Sequence, residues 1–112
     1  MMYTIWTAGG QEYHLRLTTK ATVDLEKRLG KSPLEVFAAA ANGHFPTLSD
    51  LAATLHAALQ PLHHGITEAR TYELMDAWFE DGHNMLDLIP VILEVFRHSG
   101  LVAQEQETTE KN

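Results

Sequence analysis

The chain has 112 residues, a formal charge of −7 at neutral pH with histidines neutral, an apolar fraction of 45% and no cysteine. That length suits one domain with one core, and the missing cysteine excludes a disulfide framework, a Cys-ligated metal and a thiol nucleophile. The eight Lys and Arg residues are scattered, so a phosphate-backbone binder is not expected, and the apolar runs are too short to span a bilayer.

Met2 to Thr7 and Glu12 to Leu17 are β-rich or alternating runs joined through Gly9-Gly10, which predicts a β-hairpin over 2–17 with a primed turn. With the two glycines in the turn, Trp6 faces Tyr13 and Thr4 faces Leu15. Met2, Thr4, Trp6, Tyr13, Leu15 and Leu17 then form the face that packs on helices. Tyr3 and Ile5 point outward with His14 and Arg16.

Thr18 or Thr19 caps a helix over 19–29 that stops at Gly30. Ser32-Pro33-Leu34-Glu35 starts a short alanine-rich helix over 33–42, in capping-box style. Phe45 is expected to fold back onto the core. Thr47-Leu48-Ser49-Asp50 opens the central helix, 48–64, whose stripe is Leu48, Leu51, Leu55, Leu59 and Leu62. Pro61 is expected to compress or kink its last turn, and Gly65 to close it.

Thr67 caps the next helix, 68–81, carrying Tyr72, Met75, Trp78 and Phe79. The last helix, 85–99, opens at Asn84-Met85-Leu86-Asp87. Leu86, Ile89, Leu93 and Phe96 form its stripe, Leu88 and Ile92 widen it, and Pro90 is expected to kink it. The polar run 103–112 reads as a disordered tail, with a single globular domain over 1–102. The fold class is α+β, mostly α: an N-terminal β-hairpin followed by about five helices packed as a small bundle.

Three of the seven histidines, His56, His63 and His64, fall in one stretch. On one helix His56 and His63 share a face but are about 10 Å apart along the axis, too far to share a metal, and they read as helix-terminal polar residues. A small metal- or ligand-binding regulatory module built on this region is the alternative. Glu73, Asp76, Glu80, Asp81, Asp87 and Glu94 cluster in sequence. An acid/base pair among them, as in a small hydrolase, needs one desolvated in a cleft; otherwise they form a solvated face. No nucleophile elbow, Walker loop or dinucleotide fingerprint is present, so no enzyme and no cofactor is expected. Trp78 and Phe79 point about 100° apart on a helix, so one of them need not enter the core.

A series of phrases in order carries a resemblance: Leu15-Arg16-Leu17-Thr18-Thr19, Leu25-Glu26-Lys27-Arg28-Leu29-Gly30, Ser32-Pro33-Leu34, Pro46-Thr47-Leu48-Ser49-Asp50-Leu51, Leu55-His56-Ala57-Ala58-Leu59-Gln60, His63-His64-Gly65-Ile66-Thr67 and Asp87-Leu88-Ile89-Pro90-Val91-Ile92-Leu93-Glu94-Val95. Together they resemble the small tail assembly chaperones of long-tailed bacteriophages and prophages, and their counterparts in gene transfer agents. The resemblance implies a non-enzymatic protein of the bacterial host cytoplasm, absent from the mature virion. It implies the tape measure protein and the tail tube protein as partners, with self-association possible and no nucleic acid or membrane. It also implies a longer frameshifted product, for which Glu110-Lys111-Asn112 permits an A-rich slippery run. Candidate contact residues are Tyr3 and Ile5 on the outer hairpin face, Trp78 and Phe79 on the fourth helix, and His63 and His64 after the central helix.

Overall fold

Strands β1 (Thr4–Ala8) and β2 (Gln11–Leu15) pair antiparallel, with Trp6 opposite Tyr13 and Thr4 opposite Leu15. Gly9 and Gly10 make the two-residue turn at φ 61° and 80°. A primed turn needs positive φ at both positions, and its twist matches that of the strands. The computed structural model describes residues 2–103. The tail expected over 103–112 lies outside them, apart from Ala103.

Beyond the hairpin come five helices: α1 (Thr19–Leu29), α2 (Pro33–Ala38), α3 (Leu48–Leu59), α4 (Glu68–Glu80) and α5 (Leu88–His98). Short 3-10 turns, Ala39–Asn42 and Met85–Asp87, extend α2 and precede α5. The fold is α+β and mostly α, as the sequence predicts. The caps match the sequence closely. Thr18 Oγ1 accepts from the Ala21 N–H and Thr67 Oγ1 from the Arg70 N–H. Thr47 and Asp50 form a reciprocal capping box, which satisfies two N–H groups that α3 otherwise leaves unpaired. At α2, Ser32 Oγ accepts from the Leu34 N–H instead of reaching Glu35.

Helix α3 is central: it packs against α1, α4, α5 and β2. Leu51, Leu55 and Leu59 are wholly buried. The hairpin contributes Trp6, Leu15 and Leu17 to the same core, and α5 contributes Leu88, Ile92, Val95 and Phe96. The Phe37 and Phe96 rings meet edge-on at 5.8 Å. Burying a side chain of this size stabilises by about 1.5–3 kcal/mol each, before the entropy of ordering it.

Several expectations are corrected. The central helix ends at Leu59, not 64, because Pro61 has no N–H to donate and its ring crowds the carbonyl four residues back. The chain turns instead, with the His63 N–H on the Leu59 carbonyl (2.8 Å) and the Gln60 amide on the Ile66 carbonyl (2.8 Å). The leucine stripe therefore loses both ends: Leu48, in the first turn, and Leu62, beyond the last, are each nearly half exposed. Phe45 is 54% exposed and does not fold into the core, and Met2 is exposed at the open end of the hairpin. Pro90 falls in the first turn of α5, where it removes no intrahelical bond. The buried face of that helix is rotated away from Leu86, which stays exposed.

Candidate functional site

The turn after α3 brings His63 against the hairpin. The His14 backbone N–H donates to His63 Nε2 at 2.9 Å, so that nitrogen carries no proton. Tyr13 lies edge-on to the imidazole at 5.5 Å, and Tyr3 stacks on His14 at 4.5 Å. Burial first, then the neighbouring His14, pushes the His63 pKa below the ordinary histidine value. Tyr3, His14 and His63 thus form one cluster on the outer hairpin side, with Ile5 exposed nearby.

The other two histidines of the stretch go elsewhere. His64 is exposed. His56 lines a groove of about 230 Å³ between α1 and α3 with Arg28, Asp24 and Gln60. Burial, then the Arg28 charge, lowers its pKa, against a backbone hydrogen bond involving Ile66 that raises it. Among the described residues no three His, Cys, Asp or Glu side chains gather as a metal ion needs. The shared helix face expected for His56 and His63 is absent, since α3 stops between them.

Trp78 and Phe79 divide as the helical geometry requires. Trp78 is 8% exposed, packs on Trp6 at 5.7 Å and stacks flat on His83 at 3.6 Å. Burial removes it from the candidate contact surface. Phe79 is partly exposed and lines a groove of about 240 Å³ between α3 and α4, with Leu48, Ser49, Ala52, Tyr72, Met75 and Asp76. Tyr72, one of the large residues this helix carries, is half exposed; Thr71 and Leu74 take buried positions.

The carboxylates spread over the surface. Glu73, Asp76, Glu80, Asp81 and Asp87 are exposed and Glu94 is partly so. Asp81 accepts from the Gly9 N–H (2.9 Å), and Asp87 closes a capping box with Asn84. Glu94 meets Arg97 and His98. None is held in the desolvated cleft that an acid/base pair requires.

A third groove, about 390 Å³, runs between the α2 end with its 3-10 turn and the start of α5. Its lining is apolar throughout and includes Phe37, Ala41, Phe45, Leu86, Ile89 and Leu93. Sequence reasoning assigns Phe45, Leu86, Ile89 and Leu93 to the core; Ile89 and Leu93 do pack against it, but Phe45 and Leu86 are exposed, and the groove is missed. The available signal is an excess: α5 carries more large apolar residues than one buried face accommodates.

No helix among the described residues is long and apolar enough to cross a membrane. The chain belongs to a family of unknown function (DUF6096), which matches residues 4–112. No curated protein and no solved structure matches it.

Proposed function

We propose that this member of the DUF6096 family is a non-enzymatic tail assembly chaperone of a long-tailed phage or prophage, acting in the bacterial cytoplasm. It binds the tape measure protein, the tail tube protein or both during tail morphogenesis. The observation that carries the reading is the apolar groove at Phe45, Leu86, Ile89 and Leu93, left uncovered on a chain of net charge −7. Contiguous exposed apolar surface on a charged protein marks a contact site, and such a surface shields a partner's apolar helix while charge keeps the complex dispersed. The resemblance of the ordered phrases to those chaperones supports the same reading.

Co-expression with the tape measure protein encoded in the same genome tests it. The expected result is a higher soluble yield of that partner and co-purification of the two. A partner that stays insoluble and unbound, with this chain and with any frameshifted longer form, overturns it.

A further inference from the structure

We infer that the groove between α3 and α4 receives an amphipathic helix of a partner protein, whose apolar ridge is flanked by lysine or arginine side chains. The inference deepens the chaperone reading and rests on it for the source of that helix.

The groove has the form such a ridge requires. Its floor is Ala52 and Met75, both nearly inaccessible, and its walls are Leu48, Tyr72 and Phe79. Leu48 and Tyr72 are 48% and 49% exposed, an unusual disposition for two large apolar side chains on facing helices. The small Ala52 leaves the depth into which a side-chain ridge fits, and the unbranched thioether of Met75 adapts to its shape. At about 240 Å³ the space lies below the roughly 300–1,000 Å³ of small-molecule sites, and suits inserted side chains better.

The rim specifies charge. Glu73, Asp76 and Glu80 succeed one another at three- and four-residue steps along the outer side of α4. Arg70 pairs with Glu73 at 2.9 Å. Asp76 and Glu80 have no cation within ion-pair distance among the described residues, and neither serves as a helix cap. The unpaired Asp76 in the groove lining, with the unpaired Glu80 one helical turn further along α4, complements a cationic helix. A second copy of this chain fits poorly, since it brings the same carboxylates and the same net charge of −7 to the face.

The test is titration of the full chain, with methionine methyl groups isotopically labelled, by a synthetic amphipathic peptide bearing leucines at helical spacing flanked by lysines. A matching peptide with glutamates in place of lysines is the control. The lysine peptide is expected to shift the Met75 methyl resonance and to bind about tenfold more tightly than the control, as two rim ion pairs would give. Asp76→Lys with Glu80→Lys, both at exposed positions and checked for an unchanged circular dichroism spectrum, should reverse the preference. Ala52→Leu, checked for an unchanged circular dichroism spectrum, should block both peptides. Equal binding of the two peptides, an unmoved Met75 signal, or no reversal overturns the inference. Co-expression with the tape measure protein separates the two readings. Retained co-purification with the charge-reversed and Ala52→Leu chains sinks the groove assignment and leaves the chaperone standing. A discriminating peptide response without wild-type co-purification does the opposite.

Discussion

His63 accepts the backbone N–H of His14 through Nε2 at 2.9 Å, a bond that only an unprotonated Nε2 can make. The folded protein holds the His63 pKa below its unfolded value, and burial does the same to His56. The unfolded chain therefore binds more protons over the interval between the two values, and stability rises with pH there. This stability is complete above the unfolded histidine value near 6.5 and is lost as pH falls from there toward the lower folded values. The melting temperature should drop between pH 7.5 and pH 5.5. His63→Gln, whose side-chain oxygen can still accept, should flatten part of that slope; an unchanged slope would place the titration elsewhere.

The hairpin turn gives a second expectation. A Cβ on Gly9 would sit 3.2 Å from the Cβ of Ala77, whereas one on Gly10 meets nothing within 4 Å. Both positions are left-handed, so Gly10→Ala should cost about 1–2 kcal/mol from conformation alone. Gly9→Ala should cost more, and Ala77→Gly should recover the excess but not the remainder. Urea unfolding of the three variants and the double variant measures it.

Leucines that look alike in the sequence should respond differently to truncation. Leu55→Ala removes a fully buried side chain and should cost about 2–5 kcal/mol. Leu62→Ser, at a position 44% exposed, should stay within about 0.5 kcal/mol of wild type. Equal losses in chemical denaturation would contradict the early stop of α3.

Phe45→Ser and Leu86→Ser should leave the melting temperature near that of wild type, because both side chains are about half exposed. Under the chaperone reading the same changes should reduce the soluble yield of a co-expressed tape measure protein. A loss of folding in place of a loss of rescue would return these residues to a structural role.

Much of this arrangement is legible in the residues. Gly9-Gly10 sets the strand register, and Thr18, Thr47 and Thr67 cap where a short hydroxyl precedes an apolar period. Local chemistry writes these features locally. The grooves are not written that way. Phe45, Leu48, Leu62 and Leu86 have the composition and spacing of core residues, and whether they are covered depends on where distant helices run. Helix α3 packs only as far as its buried stripe, and Pro61 diverts the chain before His63 reaches the expected face. The link between Thr4 Oγ1 and His98 Nδ1, at 2.8 Å, is equally invisible, since it joins positions 94 apart. At the candidate site, helical spacing establishes that Trp78 and Phe79 diverge, but not which of them turns inward.

That link has a neighbour: the Leu17 N–H donates to Ser99 Oγ at 2.9 Å. The first strands are thus fastened by the last helix, and nothing earlier in the chain provides those partners. During synthesis the inner side of the hairpin, Trp6 and Leu15 included, stays incompletely covered until Ser99 has left the ribosome. At about 5–20 residues per second that interval is several seconds, long compared with the time a hairpin takes to form. A chain cut short before Ser99 releases an unlatched hairpin with its apolar side open, and is a ready substrate for proteases and aggregation. A change of sequence beyond Leu101 leaves both halves of this latch, Thr4 with His98 and Leu17 with Ser99, unaltered.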